Sequence, residues 1–329
     1  MIMCARSRLA ALGLLCGIAV LTLSLPRPAF AQAYPNKSIR LVVPFGPGGS
    51  ADGIARPLAT KLGAALGVSV VIDNRPGGLT VIGADAVAKS APDGYTLYFM
   101  PGTHVLIDHM VKSVPFDPRA DFTPIATVGF LPYVIVANSE RPYKTLAQLL
   151  DYARANPEAV TMGVSDAVTR VAASSLESLA KAKFTIVEYK GGGPLGTDLV
   201  GNQIGAAVGA ANLMPFVQQG KLVPLATTTP KPVSFLPGVP SVSDLVPGSN
   251  FDVQTWYAIV GPAKLPPAIV DRLAVEIRKL LAEPDMKARL DSFGIAVPDN
   301  VSPAATAELM RQYEARMTKL LQSAGITPQ

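Results

Sequence analysis

Cysteine is confined to the first sixteen residues, where Cys4 and Cys16 are the only two in the chain. Once that leader is removed no thiol remains, which excludes disulfides, thiol catalysis and thiolate metal sites. Histidine is as scarce. His104 and His109 are the only pair, and their five-residue spacing is not the His-Glu-x-x-His pattern of a zinc enzyme. No Gly-x-Ser-x-Gly nucleophile elbow occurs either. With no nucleophile–base pair, metal cluster or cofactor fingerprint, the sequence predicts neither an enzyme nor a bound cofactor or metal. After residue 31 no stretch is uniformly apolar for long enough to span a bilayer. No basic run and no aromatic-interleaved basic patch argues for nucleic acid.

The leader itself is informative. Arg6 and Arg8 form a charged start, residues 9–25 an apolar run, and Ala29-Phe30-Ala31 a small-residue cleavage site. Cleavage is expected after Ala31, with Ala33 as the second choice. A lipoprotein signal would use Cys16, but Leu15 precedes it where a small residue is needed. Secretion without disulfides suits a bacterial periplasm. Removing residues 1–31 leaves 298 residues, enough for two domains. It also removes Arg6, Arg8 and Arg27, so 29 basic residues become 26 against 24 acidic and the net charge falls from +5 to +2. The basic balance of the full chain is therefore partly the leader's.

What stands out in the rest is Ile39–Arg56, IRLVVPFGPGGSADGIAR. Residues 39–43 form a buried-strand run. Pro44–Gly49 form a turn that neither strand nor helix continues through, and Ser50–Arg56 open a helix with Asp52 in its first turn. Strand, glycine-rich turn and helix start together place free backbone N–H groups beside a positive dipole end, a geometry for carboxylate or phosphate. The same pattern also serves as a tight turn that binds nothing. Its glycine spacing is not the dinucleotide fingerprint. Asp73 nonetheless lies about twenty residues on, after a strand, which keeps a nucleotide- or phosphate-binding enzyme as a competing reading.

Strand and helix patterns alternate along the chain, the mark of an α/β fold. Strands are predicted over 68–72, 95–100, 125–128, 134–137, 160–164, 185–188, 204–208, 222–226 and 254–260. Helices are predicted over 81–90, 146–155, 169–180, 195–200 and 213–219, then 267–282, 285–292 and 303–324. Residues 231–247 read as a proline-rich surface loop with one helical turn. No flexible linker separates two domains, so the chain is expected to cross between them more than once through short hinge strands.

Several motifs, in order, resemble the Bug family of periplasmic solute-binding receptors of tripartite tricarboxylate transporters. They are Tyr34-Pro35-Asn36-Lys37-Ser38-Ile39-Arg40, the Pro44–Asp52 loop, Asn74-Arg75-Pro76-Gly77-Gly78 and Pro92-Asp93-Gly94-Tyr95-Thr96-Leu97. Gly102-Thr103-His104, Phe116-Asp117-Pro118, Asp121-Phe122-Thr123-Pro124-Ile125, Tyr189-Lys190-Gly191-Gly192-Gly193-Pro194 and Thr255-Trp256-Tyr257 complete the set. The resemblance covers essentially the whole chain after the leader. It implies a two-domain periplasmic binding protein, type II-like, closing as a venus flytrap on a small carboxylate. It places residues 34–133 plus 251–329 in domain 1 and 134–250 in domain 2, with hinges near 133–136 and 251–256. It further implies a monomer whose partners are the carboxylate and the membrane transporter subunits. A periplasmic sensor for a membrane kinase has the same sequence requirements.

On that resemblance the ligand residues are Phe45, Gly46, Gly48, Gly49 and Ser50 from the first loop. Thr103 and His104 follow a strand end, Ser165, Asp166 and Thr169 a strand-to-helix turn, and Gly191, Gly192 and Asn212 two further loops. Gly48, Gly49 and Ser50 act as backbone donors to one carboxylate. His104 reads either as a ligand contact or as a structural core residue. The turn at 164–170 departs from the family's Ser-Ser-Gly pattern and carries Asp166. That residue repels a carboxylate unless it points away or meets an amine or hydroxyl of the ligand. Arg170, one helical turn on, supplies a charge to the ligand or pairs with Asp166.

Overall fold

Two five-stranded sheets organise the computed structural model, which describes residues 34–325 except 234, 235, 247 and 250. The expected leader and its cleavage site lie outside the described residues. The first sheet has the order β2-β1-β3-β10-β4, built from β1 (Ile39–Val43), β2 (Val70–Asn74), β3 (Thr96–Pro101), β4 (Phe122–Leu131) and β10 (Thr255–Pro262). The second has the order β7-β6-β8-β5-β9, from β5 (Val134–Asn138), β6 (Thr161–Val164), β7 (Thr185–Glu188), β8 (Ala206–Gly209) and β9 (Leu222–Thr227). The pairing is the same in both. β1 runs parallel to β2 and β3, while β10 is antiparallel to β3 and β4. β6 runs parallel to β7 and β8, while β5 is antiparallel to β8 and β9. Each sheet therefore sends three parallel strands to one carboxyl edge, where α/β sheets bind ligands.

The interior strand β1 reads as an apolar run because helices cover both faces of its sheet, and Ile39, Leu41, Val42 and Val43 are all buried. Helix α1 (Ser50–Leu66) returns from β1 to β2 and stops at Gly67, which takes the left-handed conformation (φ 72°) that ends many helices. α2 (Val81–Ala88) connects β2 to β3, and a 3-10 segment over Gly102–His109 follows β3. In the second lobe α3 (Leu146–Ala155), α4 (Ala167–Ala180) and α5 (Gly192–Val200) make the crossovers, with the short α6 (Met214–Gln218) and α7 (Val242–Leu245) flanking β9. α8 (Pro267–Ala282), α9 (Pro284–Ser292) and α10 (Pro303–Ser323) close the chain on the first sheet. Among the described residues no helix is long and apolar enough to cross a membrane.

The chain passes between the sheets at residues 132–133 and again at 228–254. The two passages are bonded to each other. Thr228 N–H donates to the Tyr133 carbonyl (3.0 Å), Tyr133 N–H to the Thr228 hydroxyl (3.1 Å), and Val253 N–H to the Thr228 carbonyl (2.9 Å). Beside them Trp256 is wholly buried, edge-on to Tyr313 of α10 (5.7 Å between centroids). It lies so close to the first residue of the 3-10 segment that a Cβ on Gly102 would sit 2.9 Å from its ring. α10 is a third tie, absent from the sequence reading. It packs on β4 and the 3-10 segment of the first lobe and on α4 of the second. One apolar core runs through all of this, from Val42, Tyr98 and Trp256 through Met317 and Leu321 to Val171, Met162 and Val208.

Candidate functional site

The loop after β1 is held by a carboxylate rather than left open for one. Asp52 is 3% exposed. Its Oδ2 accepts from Gly48 N–H (2.9 Å) and Arg56 Nε (2.8 Å), and its Oδ1 accepts from Asn74 Nδ2 (2.9 Å). The Arg56 guanidinium, with Gly48 and Asn74, draws the carboxyl down to about 2. Asn74 also donates to the Phe45 carbonyl (3.0 Å), tying the loops after β1 and β2. The expectation that Gly48 donates to a ligand is therefore corrected, because its N–H already serves Asp52. The donors left are the first N–H groups of α1, at Ser50 and Ala51, with Gly49 as the cap. Phe45 and Gly46 are half-buried, and Gly48, Gly49 and Ser50 are exposed.

The strand end after β3 holds a second correction. Thr103 is half-buried, but His104 is 0% exposed. Its ring stacks on Phe116 (5.5 Å, 5°) and meets Phe122 (4.6 Å) and Tyr98 (5.4 Å) edge-on. Neither ring nitrogen has a well-formed hydrogen bond, and burial pushes the imidazole down to about 3. His104 is a neutral core residue, because the 3-10 segment turns it inward onto the sheet.

In the second lobe the turn after β6 is built by reciprocal capping. Asp166 is the N-cap of α4 and accepts from Thr169 N–H (2.8 Å). The Thr169 hydroxyl accepts from the N–H groups of Ser165 (2.9 Å) and Asp166 (3.0 Å) and donates to the Asp166 carbonyl (2.9 Å). Thr169 is 0% exposed, so it shapes the turn and cannot touch a ligand, a third correction. Ser165 is half-buried and Asp166 is open to solvent. Beyond β7, Gly191 (φ 107°) caps α5, and Asn212 Nδ2 donates to the Gly192 carbonyl (3.2 Å), so those two loops meet.

A cavity of about 390 Å³ opens at this edge, walled from both lobes. Leu79 and Met110 come from the first; Val164, Ser165, Asp166, Ala167, Arg170, Glu188 and Tyr189 come from the second; Gly325 follows α10. Of the expected residues only Ser165 and Asp166 form its wall. Phe45, Gly46, Gly49, Ser50, Thr103, Gly191, Gly192 and Asn212 lie at the same strand ends but outside it. Sequence reasoning missed Leu79, Met110, Glu188, Tyr189 and Gly325. Leu79 (φ 50°) and Thr80 (φ 83°) hold left-handed conformations that ordinary residues rarely adopt, and the only cue to them is the preceding Gly77-Gly78.

The electrostatics of the wall are uneven. Arg170 Nη1 pairs with Glu188 Oε1, so its charge is met there and not at Asp166. Tyr189 donates its hydroxyl to Asp198 (2.8 Å), and burial with that partner pushes it up to about 12. Asp166 is accessible but ringed by protein, and this enclosure raises its carboxyl above the ordinary range despite the Thr169 and Tyr133 contacts. Tyr257 is pushed up to about 12 by burial and by the nearby Asp166. Among the described residues no cluster of three metal-ligating side chains occurs. Asp73, the acidic residue of the nucleotide reading, is paired with Arg75 (2.8 Å) and Arg40 (3.7 Å).

The chain as a whole has similar relatives. The profile of the tripartite tricarboxylate transporter family receptor matches residues 54–326. BugT of Bordetella pertussis is 31% identical over 307 residues, 90% of this chain and 93% of that one. The solved structure of R. palustris Rpa4515 with adipate is similar at a TM-score of 0.78 and 29% identity, covering 90% of this chain and 100% of that one. MatC from Rhodopseudomonas palustris with bound malate is similar at a TM-score of 0.73 and 26% identity, covering 88% of this chain and 100% of that one. The two-lobed binding-protein fold expected from the motifs is borne out by these likenesses. The chain belongs to the Bug family, the receptors of the tripartite tricarboxylate transporter family.

Proposed function

We propose that this protein is a periplasmic receptor that captures one small carboxylate between its lobes and delivers it to the membrane subunits of a tripartite transporter. The cavity walled from both lobes at the carboxyl edges of the parallel strands carries the reading. Its volume suits a small organic acid, and two similar structures hold adipate and malate. The protein acts as a monomer, performs no chemistry on its ligand, and loses residues 1–31 on export. Residues 34–133 plus 251–329 move against 134–250 about 133–136 and 251–256. That motion carries the free N–H groups at the start of α1, and those at the start of α5, onto a ligand carboxylate. Phe45, Gly46, Thr103 and Asn212 complete the rim.

The test is a thermal-shift screen of the purified protein against small carboxylates and nucleotides. A ligand at one hundred times its Kd stabilises the folded state by about 2.7 kcal/mol, a shift of several degrees. At least one carboxylate is expected to give it. Nucleotides that stabilise while carboxylates do not, or turnover of a bound acid, would overturn the reading.

A further inference from the structure

The cavity wall carries one charge that the protein leaves uncompensated, that of Asp166. Arg170 lies one helical turn away, yet it pairs with Glu188. Among the described residues no Lys, Arg or His nitrogen stands within ion-pairing distance of Asp166. One Asp166 oxygen is taken up by the Thr169 cap (2.8 Å), the Val168 N–H also faces the carboxylate, and the second oxygen has the Tyr133 hydroxyl at a long 3.4 Å. Arg170 and Glu188 cancel, so the charged side chains of the wall sum to a single negative charge. A dicarboxylate in this space would put a second like charge beside Asp166, which is costly where water is partly excluded.

We infer that the ligand carries a cationic nitrogen that docks on the Asp166 carboxylate, so that the protein takes an amino carboxylate rather than a simple diacid. The inference rests on the carboxylate-receptor reading above and narrows its ligand class. An ammonium donates to the Asp166 oxygen that the Tyr133 hydroxyl approaches at 3.4 Å, while the ligand carboxylate goes to the helix N–H groups of the closed cleft. Leu79, Met110, Val164 and Ala167 supply an apolar wall for the carbon chain between or beside these groups. Asp166 is thus a specificity residue that discriminates by charge.

The test is calorimetry of the purified protein with α- and ω-amino acids of three to six carbons, each beside its matched hydroxy acid and diacid. At least one amino acid is expected to bind tenfold or more tightly than both matched partners, the range of a charge-assisted hydrogen bond. Asp166→Asn is the informative variant, because asparagine caps a helix as well as aspartate does and keeps the turn folded. It is expected to weaken the amino acid at least tenfold and to strengthen the matched diacid. A hydroxy acid or diacid that binds wild type as tightly as its amino acid overturns the inference and leaves the carboxylate reading standing. So does an amino-acid preference unchanged in Asp166→Asn. A panel in which nothing binds overturns both.

Discussion

Lowering the pH from 7.5 to 5 is expected to cost this fold about 2 kcal/mol through one side chain, His104. In the folded protein its imidazole is pushed from 6.5 to about 3 by burial among Tyr98, Phe116 and Phe122. The unfolded chain then takes up a proton below pH 6.5 that the folded chain refuses. Stability conferred by the neutral ring is complete above that value and drains away as the pH falls toward 3. By pH 5 the unfolded state is favoured by about 1.5 units of proton affinity, each about 1.4 kcal/mol. Asp166 works in the opposite direction, since its raised folded value favours proton uptake by the native state. The clean measurement is therefore a difference. Urea unfolding of wild type and His104→Phe is compared at pH 7.5, 6.5, 5.5 and 5. The phenylalanine keeps the ring stack, and any overpacking cost of about 1–3 kcal/mol is the same at every pH. The slope is what matters. Wild type should lose about 2 kcal/mol more than the variant across this range. Parallel profiles would refute the buried, neutral histidine.

The loop after β1 separates two adjacent glycines. Gly48→Ala meets open space but must hold φ at +82°, and is expected to destabilise by about 1 kcal/mol; Gly49→Ala, at φ −75° with its nearest neighbour 3.6 Å away, should stay within about 0.5 kcal/mol, both by urea unfolding. Asp52→Asn is expected to cost about 1–2 kcal/mol at pH 7, the solvated Arg56 partner limiting the figure. Because the folded carboxyl is held at about 2, that contribution is present above about pH 4 and lost as the pH falls through 2, so the variant and wild type should converge in acid; a constant gap would show that the charge is irrelevant.

Local chemistry was readable where one short segment decides the outcome. The β1 run, the glycine turn and the start of α1 follow from residues within twenty positions of one another. So does the alternation that yields three parallel strands in each sheet. The misreadings come from competition between roles for the same atoms. The N–H of Gly48 looked free because a glycine-rich turn before a helix leaves donors, but Asp52, four residues on, reaches back to take it. The strand-to-helix pattern puts Thr169 at a helix start and offers it to the ligand. The Asp-x-x-Thr spacing is instead a reciprocal cap, and the helix begins at Ala167. That signal was present and points away from the ligand. Beyond Ser165 and Asp166, the wall of the cavity is not readable from the sequence. Leu79, Met110 and Gly325 come together with the α4 turn only through tertiary packing, and no periodicity in their own segments announces it.

The apolar core that runs unbroken through both sheets has a consequence for how the protein fails. Lobes with separate cores can melt one after the other and give two calorimetric peaks. Here a residue such as Val171 packs in the same cluster as Tyr98 and Trp256, so this shared interior is kept or lost by both lobes together, while a smaller cluster around Val134, Leu195 and Leu213 belongs to the second lobe alone. The protein should melt in a single cooperative endotherm, and damage far from the cleft should lower the fraction of receptors able to bind without altering the affinity of those that remain folded.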